Sequence, residues 1–106
     1  MSDKMEHTLL MIQTEALMNN RTYSDFDNVE ECIEHICKLY ETHLQNLYPN
    51  QDSITYDVSQ LFEYIDEIPD IFCLTFNKEC TNYVPHNKVW LKEIIYRQLK
   101  TQAKKL

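Results

Sequence analysis

Four cysteines, four histidines and one tryptophan are the side chains from which chemistry could be built. A zinc site needs thiolates and imidazoles at clustered spacings, such as C-x-x-C. Cys32 and Cys37 are five apart, and Cys73 and Cys80 flank a turn with no histidine close in sequence. These spacings read as buried thiols acting as small apolar residues. His7, His35, His43 and His86 have no serine or cysteine neighbour in a triad-like arrangement. Glu31 with His35, and Lys38 with Thr42, sit four apart, where one isolated pair is a solvated helix contact. Trp90, near a helix start, reads as a core anchor. No catalytic, metal or cofactor-binding residue is therefore expected.

Glycine is absent from all 106 residues, where roughly seven would be usual. Phosphate-cradling loops and nucleotide fingerprints need glycine for close backbone approach or positive φ, so these motifs are excluded, a strong argument against a nucleotide-dependent enzyme. Tight turns must use asparagine instead, with Asn19, Asn20 and Asn77 as the expected left-handed positions.

The charge balance is −7, from 10 basic and 17 acidic side chains. Acids crowd residues 25–34 and 63–70 and would repel a phosphate backbone, so direct sequence-specific nucleic-acid binding is not expected. The basic exception is Lys92, Arg97, Lys100, Lys104 and Lys105 near the end, which suits a helix C-terminus. No apolar run approaches the ~20 residues of a membrane span, so no membrane partner is expected. The opening residues lack the apolar centre of a signal peptide. The expected location is the nucleus, the cytoplasm or both, with reduced thiols.

The elements that would position these residues follow from periodicity. Residues 7–13 read as a strand, apolar on both parities at Leu9, Leu10, Met11 and Ile12. Residues 21–26 are a second extended piece. Asn28 caps a long helix with Glu31 completing a capping box, and Val29, Ile33, Ile36, Tyr40, Leu44 and Leu47 form its stripe. Asp57 and Gln60 cap a second helix, carrying Val58, Leu61, Phe62, Ile65 and Ile68, which Pro69 stops. Residues 71–77 and 81–85 form a hairpin. Asn87 caps a last helix with Trp90, Leu91, Ile94, Ile95 and Leu99. The fold class is α+β: a four-stranded antiparallel sheet with three amphipathic helices on one face, in the order β-β-α-α-β-β-α. Residues 1–6 form a flexible tail, 7–101 a single domain, and 102–106 a basic tail.

Strand parity bears on assembly. If Leu10 and Ile12 face the helices, Leu9 and Met11 point to the uncovered side. A second copy of the sheet could cover them; alternatively they are ordinary exposed apolar residues. Tyr23, Tyr83, Cys73 and Thr75 are further candidates for that outer face. The bulkier Phe72, Leu74 and Phe76 are expected to face the core, unless a one-residue bulge reverses them.

The segment Ser53-Ile54-Thr55-Tyr56-Asp57-Val58-Ser59-Gln60-Leu61-Phe62-Glu63-Tyr64-Ile65-Asp66 closely resembles the signature of the enhancer of rudimentary family, small eukaryotic adaptor proteins. Further similarity runs through Arg21-Thr22-Tyr23, Glu31-Cys32, Cys37-Lys38, Tyr40-Glu41 and His43-Leu44. It continues in Cys73-Leu74, Tyr83, Pro85, Asn87-Lys88-Val89-Trp90, Lys92-Glu93 and Ile95-Tyr96. The resemblance implies the same fold, no enzymatic activity, and a homodimer formed through the sheet face of Leu9, Met11, Tyr23 and Tyr83. It further implies an adaptor that binds peptide segments of RNA-binding or RNA-processing proteins, including small-RNA complexes. The alternative is a regulator of pyrimidine-biosynthesis enzymes, the connection behind the family's name. Thr22, followed by Asp25, matches a family phosphorylation position, where a phosphate beside a dimer seam would oppose sheet packing. Asn28 replaces a second such position. Pro69 and His86 depart from the family pattern, which suggests a specialised paralogue.

Overall fold

The computed structural model describes residues 7–13, 21–52 and 55–105, with side chains described up to residue 101. Within them the chain runs β1 (Thr8–Gln13), β2 (Arg21–Phe26), α1 (Val29–Leu47), α2 (Val58–Glu67), β3 (Asp70–Asn77), β4 (Asn82–His86) and α3 (Lys88–Lys105). All pairings are antiparallel and the strand order is β2-β1-β3-β4. The expected α+β class and element order are found. Helix α3 continues through Lys105, across most of the segment expected as a tail. The expected N-terminal tail and the Asn19-Asn20 turn lie outside the described residues.

Each helix starts where its sequence dictates. Asn28 Oδ1 accepts from the Glu31 N–H at 2.9 Å. Glu31 returns its carboxylate to the Asp27 N–H rather than to that of Asn28, so this cap is offset by one residue from a true box. The α2 cap is reciprocal: Asp57 accepts from the Gln60 N–H, and Gln60 Oε1 accepts from the Asp57 N–H. Asn87 Oδ1 accepts from the Trp90 N–H at 3.1 Å. Such caps satisfy donors that the first helical turn leaves without partners. Helix α2 ends at Glu67, with Ile68 as C-cap before Pro69. Lys88, at the start of α3, donates from Nζ to the carbonyls of Asp66 and Ile68 at 3.2 and 2.6 Å. The next turn adds an ion pair from Lys92 to Asp66. The two helices are thus fastened end to start, with cations against the carbonyl end of α2.

One core lies between the helices and one face of the sheet. Leu10, Ile12, Ile71 and Cys73 rise from the strands to meet Cys32, Ile33 and Ile36 of α1, Leu61 and Ile65 of α2, and Leu91 and Ile95 of α3. The last turn of α1 overhangs this core, leaving Leu47 57% exposed despite its place in the apolar stripe.

Two local expectations are corrected. The positive-φ residue among those described is Thr81, at φ 57°, not Asn77. Asn77 supports the same turn by another route, its Oδ1 accepting the N–H groups of Glu79 and Cys80 at 2.9 and 3.2 Å. This is the side-chain turn that asparagine favours. The second correction is the parity of β3. Ile71 and Cys73 are the core residues, and Phe72, Leu74 and Phe76 lie on the other face. Register forces this, because residues directly opposite across an antiparallel pair share a face. Leu10 pairs with Cys73 and Ile12 with Ile71, while Leu9 pairs with Leu74 and Met11 with Phe72. Cys73 and Thr75, expected as outer-face candidates, accordingly point towards the helices.

Candidate interaction surface

The sheet face away from the helices is built in rows. Tyr23, Met11 and Phe72 form one row, and Asp25, Leu9, Leu74 and Pro85 the next. Beyond these, Phe76 lies opposite Tyr83, and the Phe76 N–H donates to the His7 carbonyl, extending the ladder. The opposite end is the row Arg21, Gln13 and Asp70. The face therefore has an apolar centre and polar ends.

Hydrogen bonds fix both ends. His7 Nδ1 lies 2.8 Å from the Tyr83 hydroxyl, and His7 Nε2 lies 3.1 Å from Asp25 Oδ2. One imidazole thus ties β2 to β4 across the sheet, and the Tyr83 ring meets Phe76 edge-on at 5.2 Å. At the other end Arg21 Nε donates to Gln13 Oε1 at 3.0 Å. The centre is only partly covered by its own side chains. Met11 is buried, Leu9, Phe72, Leu74 and Phe76 are half-buried, and Tyr23 and Tyr83 are 68% and 39% exposed. Phe72, Leu74 and Pro85 line a cavity of about 470 Å³ towards α3, and Phe72 and Val89 share an adjoining one of about 350 Å³. Proline is tolerated in β4 because an edge strand has a free side.

The structure brings Leu9, Met11, Tyr23 and Tyr83 onto this one face. Phe72, Leu74, Phe76 and Pro85 belong to it as well. The signal for them was latent in the parity of β1, once β3 is aligned against it. His7 had no such signal, because its partner Tyr83 is far along the chain. Thr22 lies elsewhere. It pairs with Ile12, shares the helix side of the sheet, and donates its hydroxyl to the Ile12 carbonyl at 3.4 Å. A phosphate there would not stand on the outer face.

The candidate chemical residues have structural surroundings. Cys32 of α1 and Cys73 of β3 are both fully buried, and their thiols form a hydrogen-bonding pair. That hydrogen bond, together with burial, raises the Cys32 pKa far above the ordinary thiol range. Cys37 is half-buried and Cys80 exposed, and all four thiols are free. The His86 ring stacks on Trp90 at 3.9 Å, with Nε2 2.9 Å from the Thr75 hydroxyl. His35 lies against Phe26, and His43 against Tyr40 and Tyr64. Among the described residues no group of three or more His, Cys, Asp or Glu side chains could hold a metal ion. No helix there is long and apolar enough to cross a membrane.

Comparison with known proteins adds an independent line. The family model described as "Enhancer of rudimentary" matches residues 4–105. "Protein enhancer of rudimentary" from Drosophila virilis is 48% identical over 99 residues, covering 93% of this chain and 95% of that relative. "Enhancer of rudimentary homolog" from Caenorhabditis elegans is 44% identical over 93 residues, covering 88% and 90%. The Arabidopsis thaliana homolog is 30% identical over 97 residues, covering 92% and 89%. Matched nearly end to end by the family model and by insect, nematode and plant relatives, the chain belongs to the enhancer of rudimentary family.

Proposed function

We propose that this chain is a non-catalytic homodimeric adaptor that captures short segments of RNA-binding or RNA-processing proteins in the nucleus or cytoplasm. Two copies would join through their outer sheet faces and present two equivalent surfaces, raising apparent affinity for linked partners by effective concentration. The observation that carries the reading is the uncovered apolar centre around Leu9, Phe72 and Leu74. Helices occupy the other side, and a contiguous apolar patch framed by polar residues is the usual form of a protein interface. A two-fold partner is the economical cover, since it offers the same patch. Completing the burial of each half-exposed Leu or Phe would contribute on the order of 1 kcal/mol.

The test is sedimentation of Leu9→Arg with Leu74→Arg, two half-buried positions that face each other across β1 and β3. The expected result is a folded monomer by circular dichroism, because two facing copies would have to bury four charges. A variant that still sediments as a dimer overturns the assignment of this face. Tagged purification from native cells with ribonuclease treatment then addresses partners. Ribonuclease-resistant RNA-binding proteins support the adaptor; large biosynthetic enzymes in their place overturn it.

A further inference from the structure

We propose that the groove between α1 and α3 receives a short cationic partner segment carrying apolar side chains between its charges. This gives a chemistry to the partner segment of the adaptor reading, on which it rests. The groove is a cavity of about 420 Å³ continuing into one of about 200 Å³. Glu34 and Gln98 line both, so the two adjoin along one channel, which Gln98 crosses by donating from Nε2 to the Glu30 carbonyl at 3.4 Å. Its apolar floor is Val29 and Ile94 at one end and Cys37 and Leu99 at the other, all half-buried residues packed against the core.

Glu30, Glu34 and Glu41 stand along the α1 side, all exposed. At 1.5 Å per residue they span about 16 Å of helix. Arg97 and Lys38 also line the channel, yet no ion pair forms among these five groups. Carboxylates nevertheless outnumber cations along the channel, three to two. Burial and the Glu41 and Glu34 carboxylates push the Cys37 thiol up to about 11. The Tyr56 phenol, whose hydroxyl donates to Glu41 at 2.9 Å, is likewise raised, first by burial and then by that carboxylate. Beyond burial, the Glu41 carboxylate thus disfavours negative charge on the groups to either side of it. A cationic segment would gain from that excess of carboxylates, and its apolar side chains would complete the burial of the half-buried floor.

Three labelled probe peptides of about twelve residues, enough to span the channel as a helix, decide the matter on the full chain. One alternates lysine with leucine blocks, one replaces leucine by serine, and one replaces lysine by glutamate. Fluorescence anisotropy should show binding of the lysine–leucine probe alone, with amide NMR shifts along α1 and α3. Glu34→Lys with Glu41→Lys should weaken it by about tenfold or more, with circular dichroism showing that the helices persist although Tyr56 loses its acceptor. No binding, equal binding of the lysine–serine probe, indifference to the charge reversal, or shifts confined to the outer sheet face would each overturn the proposal. The groove lies within one chain, so Leu9→Arg with Leu74→Arg should keep this binding. Loss of the dimer assignment would therefore leave the groove result standing, and loss of groove binding would leave the sedimentation result standing.

Discussion

Leu10 and Met11 are neighbours in β1, almost equally buried at 1% and 2% exposure, and they are buried on opposite faces. Leu10 belongs to the cluster beneath the helices, whereas Met11 does not. Met11 lies between Tyr23 and Phe72 on the outer face. The single strand therefore serves two apolar layers, one closed by helices and one closed in part by its own side chains.

Truncation should separate the two layers. Leu10→Ala should cost about 2–5 kcal/mol in denaturant unfolding, as for a well-packed core leucine. Leu9→Ala, on the half-buried outer position, should cost markedly less at low protein concentration. Its penalty should grow as concentration rises, because the proposed dimer would add stability by mass action.

Acidification should unfasten the start of α2. Hydrogen bonds from the Ser59 hydroxyl and the Gln60 N–H hold the Asp57 carboxyl below its ordinary value. A depressed folded pKa stabilises above the unfolded value near 3.9 and loses that contribution as pH falls through the folded value. Thermal melts of Asp57→Ala and the parent chain should differ most near neutrality and converge below about pH 4.

Thiol reactivity should be graded by position. At pH 8 an aromatic disulfide reagent should modify Cys80 promptly, because it is exposed. Cys37, with its thiol pushed up to about 11, should lag behind, and Glu41→Gln should hasten it by removing one of the raising charges. Cys32 and Cys73 should react only after unfolding.

Lys88→Met should loosen the α2–α3 junction. It removes the charged donor to the Asp66 and Ile68 carbonyls while keeping an apolar stem. The expected cost is about 1.5–3 kcal/mol in chemical unfolding. Hydrogen exchange should quicken first in the last turn of α2.

Helix caps, element order and the parity of β1 were legible because each depends on residues within a few positions of one another. Asn28, Asp57 and Asn87 announce three helices by local chemistry, and Leu10 with Ile12 marks the covered face. The parity of β3 was misread because side-chain bulk suggested Phe72 and Phe76 for the core. The space beneath the helices instead takes Ile71 and the compact Cys73, whose sulfur meets Cys32. Bulk says little about facing when both faces of a sheet are apolar; only the register with β1 decides it. The α1–α3 groove had no sequence signal, since Glu34 and Gln98 are brought together by helix packing alone. The His7–Tyr83 contact spans 76 positions and was equally invisible.

The place of β1 between β2 and β3 also sets an order in time. Its pairing with β3 joins residues about sixty positions apart, the kind of non-local closure that slows folding. During synthesis at about 5–20 residues per second, β1 would wait on the order of several seconds for β3 to emerge. Throughout that wait a strand apolar on both faces has one edge without its partner. The nascent chain is then at its most adhesive, and a folding assistant or a co-translational partner would find it there.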